Sequence, residues 1–137
     1  LLVSVEIEPR SGVKELMEQC ASQCIKLGWV TTTSEQNILA IKDSLKDKID
    51  FSLFEVILSR EQCLEPKPSS MVYKKALEFL TLGARTTVAI EDSTSGVRSS
   101  KGAGVFTIAL PGQYVKEHDF SHADICLENL NEISLSS

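Results

Sequence analysis

Three short polar clusters in this sequence carry side chains that could act together on a phosphate group. The first is Thr31-Thr32-Thr33-Ser34, four hydroxyl residues that follow the apolar run IKLGWV and precede a helical pattern. Hydroxyls gathered at the positive end of a helix can hold an anion. The competing reading makes them ordinary N-caps. The second is Glu65-Pro66-Lys67-Pro68, in which two prolines stiffen the backbone around one lysine and limit where its ammonium can travel. Such a lysine could neutralise a phosphoryl oxygen as a compact point charge, and the alternative is a solvated loop lysine. The third is Glu91-Asp92, adjacent carboxylates at the end of the apolar stretch TVAI. Two carboxylates leaving a buried strand repel and lose hydration, a cost that a shared cation relieves. Hard oxygen donors few in number suit Mg²⁺, which keeps several waters and binds substrate phosphate; the alternative makes Asp92 a helix cap and Glu91 its exposed neighbour.

These clusters need elements to bring them together. After Pro9, the run SGVKELMEQCASQC sets Val13, Leu16, Met17, Cys20 and Cys24 at helical spacing, with Ser11 able to cap it. A strand over 25–31 follows, then a helix over SEQNILAIKDSL. The segment FEVILS predicts a second strand, MVYKKALEFL a helix, TVAIED a third strand and GVRSSKGAG a helix ending in glycines. VFTIAL predicts a fourth strand and ADI a short fifth. Strands and helices alternating at these lengths specify a parallel α/β sheet covered on both faces. In such sheets ligands bind at the carboxyl ends of the strands, where all three clusters fall.

Composition narrows the partners. At 137 residues with 42% hydrophobic content, the chain is one domain or most of one. Its 14 Lys and Arg against 19 Asp and Glu form no basic stripe, which argues against nucleic acid. No apolar run nears the ~20 residues that span a bilayer, so a soluble protein is expected, with the compartment left open between cytoplasm and plastid. The cysteines at 20, 24, 63 and 126 show no CxxC spacing and read as buried thiols, and His118 and His122 lie too far along the chain to complete a zinc site. The opening LLVSVEIEP has no initiator methionine and reads like the interior of a longer sequence.

WVTTTSEQN, EPKPSSMVY and VAIEDSTSGVRSSKGAGV resemble, in order, the second, third and fourth motifs of the haloacid dehalogenase superfamily. The resemblance implies a three-layer, Rossmann-like core and a Mg²⁺-dependent phosphatase. In that role Thr31 would hydrogen-bond the transferring phosphoryl group, Lys67 would neutralise it, and Asp92 would ligate the metal with Glu91 assisting. Thr32, Thr33 and Ser34 would contribute to the substrate site. The nearest look is to the beta-phosphoglucomutase-like branch and its CbbY-type phosphatases, which implies a small phosphorylated sugar as substrate. PRSGV resembles the segment by which such chains re-enter the core from a cap domain, and GQYVKEHDFSHADICLENL resembles the group's C-terminal tail. Ser70, the pair Ser59-Arg60 and Ser34 depart from the usual residues at their positions, which bears on substrate preference more than on reaction class.

The family's first motif, a DxDG that supplies the aspartate nucleophile, is not in this sequence. Asp43, Asp47 and Asp50 lie in a charged stretch and read as solvated. Residues 1–137 are therefore expected to form the C-terminal part of the core, without the first strand, which normally lies between the strand ending at Thr31 and the one ending at Asp92, and without the cap. Those two strands should then not pair directly, and their edges would need an N-terminal segment or a second chain to cover them. LLVSVEI could supply a makeshift strand. Two other readings stand beside the phosphatase: a sugar-phosphate mutase of the same family, and a non-catalytic phosphate-binding domain.

Overall fold

The computed structural model describes residues 13–110 and 122–127. Four helices and five strands alternate along these residues: α1 (Val13–Ser22), β1 (Leu27–Val30), α2 (Glu35–Leu45), β2 (Phe54–Leu58), α3 (Met71–Leu80), β3 (Val88–Glu91), α4 (Thr94–Gly102), β4 (Phe106–Ala109) and β5 (Ile125–Cys126). Each matches a segment predicted from periodicity. The cap expected of Ser11, the makeshift strand at 1–7 and most of the C-terminal tail fall outside the described residues.

The strands are parallel and form two sheets, one of β1 and β2 and one ordered β3-β4-β5. Among the described residues β1 and β3 share no ladder, the arrangement expected where a strand between them is missing. Both sheets contribute to the same cores. Alternation along each strand sends Leu27 and Ile90 to one face, with α1, Leu45 and Ile108, and sends Val30 and Ala89 to the other, with Leu58 and the buried face of α3. Helices on both faces make three layers, as the near-continuous apolar strands require.

Local chemistry fixes where the elements begin and end. Ser34 caps α2 by accepting from the Asn37 N–H at 3.2 Å, and Ser93 caps α4 by accepting from the Gly96 N–H at 3.1 Å. Asp50 accepts from the Ser52 N–H at the short 3-10 turn Phe51–Leu53. That turn brings Phe51 and Phe54 against Trp29, with ring centroids 5.9 and 6.0 Å away.

The cysteines do not all follow expectation. Cys20 and Cys63 are buried, but Cys24 and Cys126 are exposed. The helix stops at Ser22 and Cys24 sits beyond it in the left-handed region, at φ 57°, so it leaves the apolar face that helical spacing had assigned to it. Cys126 belongs to the two-residue strand β5, whose side chains are exposed.

Candidate functional site

The turns after β1, β2 and β3 all open at the carboxyl ends of their strands, and Lys67 joins them. Its ammonium donates to the Val30 carbonyl at 3.1 Å and to Glu91 Oε1 at 2.7 Å. Val30 is the last residue of β1 and directly precedes Thr31; Glu91 is the last residue of β3 and directly precedes Asp92. One nitrogen from the β2–α3 loop therefore bridges the two sheets where no ladder does, contacting the residue that precedes Thr31 and the residue that precedes Asp92. The solvated-lysine alternative is ruled out, because the Lys67 side chain is only 1% exposed.

The loop that delivers this lysine is braced along its length. Ser59 and Gln62 form a capping box, Cys63 Sγ donates to the Glu65 carbonyl, and Ser69 Oγ donates to Glu65 Oε2 at 3.0 Å. The peptide between Lys67 and Pro68 is cis. From the far side, Ser99 of α4 donates to the Ser69 carbonyl at 2.6 Å, tying the loop to the helix that follows Asp92.

Glu91 is not the exposed neighbour of the alternative reading. Its side chain is wholly buried, and Oε1 accepts from both Lys67 and the Tyr73 hydroxyl. Burial pushes the Glu91 carboxyl up from its ordinary range, while the Lys67 charge and the two hydrogen bonds pull it back. Its other oxygen, Oε2, accepts no hydrogen bond among the described residues and lies against Gly96. A Cβ at Gly96 would overlap that carboxylate, so only glycine lets α4 approach this closely. Asp92 is half-buried at the mouth of the same turn, and the cap of α4 is Ser93, not Asp92.

The hydroxyl cluster divides. Thr31 is nearly buried and its Oγ1 accepts from the Thr33 N–H at 3.1 Å, which leaves its own proton to donate. Thr33 Oγ1 accepts from Asn37 Nδ2 at 2.9 Å, and Ser34 is spent on the helix cap, as the competing reading held. Thr32 is exposed and its hydroxyl bonds to none of the described residues. The N-terminus of α2 is already answered by a protein anion, since Glu61 Oε2 accepts from the Glu35 N–H at 2.9 Å. That contact holds the Glu61 carboxyl below its ordinary range. The Arg60 N–H donates to the Thr33 carbonyl at 2.9 Å, so the loop after β2 clamps the loop after β1.

Sequence reasoning missed three participants: Tyr73, which reads as a core ring at helical spacing; Glu61, which reads as a surface charge; and the direct Lys67–Glu91 pairing. Only Glu61 carries a usable signal, because it follows a strand in the way the other polar turns do. A cavity of about 460 Å³, lined by Lys14, Lys42, Lys46, Asp47 and Phe51, lies where β2 begins and therefore at the opposite end from these residues.

The fit to a divalent cation is partial. No group of three or more His, Cys, Asp or Glu converges among the described residues. Mg²⁺ asks for only one or two carboxylates beside water and substrate phosphate. Asp92, half-buried, is the carboxylate that could answer that need; Glu91 is wholly buried with Oε1 committed to Lys67 and Tyr73.

Comparison with known proteins identifies the family. Residues 2–110 match the family described as haloacid dehalogenase-like hydrolase, and the chain belongs to that family. Within it the chain is similar to protein CbbY of Cereibacter sphaeroides, with 34% identity over 133 residues that make up 97% of this chain and 58% of the relative. The crystal structure of CbbY from Rhodobacter sphaeroides in complex with phosphate superposes with a TM-score of 0.84 over 90% of this chain and 55% of that one. A phosphorylated carbohydrates phosphatase of Thermotoga maritima is 32% identical over 72% of this chain and 44% of its own length. The chain thus spans little more than half the length of these CbbY relatives.

Proposed function

We propose that the protein to which these residues belong is a Mg²⁺-dependent phosphatase that acts on a small sugar phosphate through an aspartyl-phosphate intermediate. The observation that supports this is the buried Lys67 ammonium held between Val30 O and Glu91 Oε1, one residue before Thr31 and one residue before Asp92. The substrate class is supported by the relatives: CbbY from Rhodobacter sphaeroides has also been crystallised, as a mutant, with xylulose-(1,5)bisphosphate.

In this reading Thr31 donates its proton to a phosphoryl oxygen while the Thr33 N–H holds Oγ1 in place. Lys67 presents positive charge to the same group. Glu91 balances that charge and orients it, because a lysine buried without a partner would shed its proton. Asp92 would hold Mg²⁺, which when bound supplies charge neutralisation to the phosphoryl oxygens. The attacking aspartate comes from a part of the protein outside this sequence, and its carboxylate replaces one hard displacement by two easier ones. Thr32, exposed and with a hydroxyl bonded to none of the described residues, would face substrate.

The test is turnover of p-nitrophenyl phosphate and of xylulose-1,5-bisphosphate by the full-length protein, with Mg²⁺ and with EDTA. EDTA should abolish turnover, and Asp92→Asn should lower kcat about 100-fold. The 137-residue chain alone should turn over neither substrate. Turnover that survives EDTA and Asp92→Asn would overturn the reading.

A further inference from the structure

We propose that Tyr73 is a positioning residue which, through Glu91, fixes where the Lys67 ammonium stands at the carboxyl ends of β1 and β3. Its bearing on catalysis rests on the phosphatase reading above; its bearing on the geometry of Lys67 does not. Tyr73 is the third residue of α3 and is fully buried. Its hydroxyl donates to Glu91 Oε1, the oxygen that also accepts from Lys67 at 2.7 Å. Its ring lies beneath the same ammonium, with Nζ 5.7 Å from the centroid. One side chain therefore touches both members of the ion pair, the anion by a hydrogen bond and the cation by a ring face.

The asymmetry of Glu91 makes this contact decisive. Two donors converge on Oε1, whereas Oε2 sits against Gly96 with no donor among the described residues. The terminal torsion of a glutamate is broad and roughly two-fold, so the carboxylate is not oriented by its own rotamer preference. Lys67 is itself a donor on a flexible four-carbon stem and is a poor orienter. The phenol, carried on a rigid ring packed into α3 against the second core, is the fixed member of the three. Without its hydroxyl, the carboxylate can turn and the ammonium follows it.

A packing role and a positioning role predict different results for Tyr73→Phe, because that change keeps the ring and removes only the hydroxyl. In the full-length protein, the positioning role predicts a melting temperature close to the wild type, a displaced Lys67 Nζ resonance in side-chain ¹⁵N NMR, and Nζ protons that exchange with water about tenfold faster. With p-nitrophenyl phosphate, kcat should fall about tenfold while KM stays within about twofold. A Lys67 resonance and exchange rate that do not change in Tyr73→Phe overturn the proposal, whatever happens to kcat. A displaced Lys67 resonance in a protein whose wild type turns over no phosphoester supports the positioning role and removes the phosphatase reading instead. Should Tyr73→Phe not fold, the wild-type hydroxyl proton decides: it should be visible in slow exchange with a contact to Lys67, and rapid exchange with water contradicts the proposal.

Discussion

The turn after β1 and the turn after β3 are alike in sequence and unlike in structure. Each leaves an apolar strand through a run of polar residues and enters a helix capped by serine, Ser34 in one and Ser93 in the other. In the first, the polar groups mostly satisfy one another near the surface: Thr33 is bonded by Asn37, Ser34 by the helix, and Glu61 closes the helix end from the neighbouring loop. In the second, a carboxylate is carried fully inside, paired with a buried ammonium and pressed against a glycine. A polar residue at a strand end is thus a weak indication of function, and its burial with a charged partner is a strong one, because a protein rarely accepts the desolvation of two charges for stability alone.

If that contrast is right, substitutions on the β3 side should cost far more than those on the β1 side. The largest effect belongs to Glu91→Ala, which leaves Lys67 buried without its counter-charge and should cost about 3–5 kcal/mol in urea unfolding of the full-length protein. Gly96→Ala should follow at about 1–3 kcal/mol, since the new methyl must displace the Glu91 carboxylate or part α4 from β3. On the β1 side, Ser34→Ala removes one cap and should cost about 1 kcal/mol. A Ser34 variant that destabilises more than the Glu91 variant would reverse the comparison.

The smallest effect is a pH dependence. Glu61 is held below its ordinary value of 4.5, first by the Glu35 N–H, and Asp124 below its ordinary 3.8, first by the Thr107 N–H and then by Lys101. A carboxyl whose folded value is depressed adds stability that is complete above its unfolded value and is lost as pH falls through the folded one. Stability should therefore decline as pH drops below about 4.5, and Asp124→Asn should flatten part of that decline in melting temperatures taken across the acid range.

Much of this was legible in the residues. The period of SEQNILAIKDSL and MVYKKALEFL gave α2 and α3, the apolar runs gave the strands, and the expectation that β1 and β3 would not pair agrees with the two sheets observed. Two kinds of feature were not legible. The end of α1 lacked a signal, because a cysteine and not a glycine takes the left-handed position after it. The Lys67–Glu91–Tyr73 contact joins residues 18 and 24 apart, and no local pattern separates a core tyrosine from one whose hydroxyl reaches a carboxylate. Thr31, Lys67 and Asp92 were named from their positions at strand ends; which of the two adjacent carboxylates faces the lysine depended on the pleat of β3, where Ala89 and Glu91 share a face.

The central claim is that one small anion is shared by three elements. The most direct test is a crystal structure of the full-length protein with Mg²⁺ and inorganic phosphate. It should show Thr31 Oγ1 and Lys67 Nζ within about 3 Å of phosphate oxygens and an Asp92 carboxylate oxygen on the metal that touches the same phosphate. Phosphate bound elsewhere, or bound with Lys67 still turned wholly to Val30 and Glu91 and Asp92 away from the metal, would contradict it.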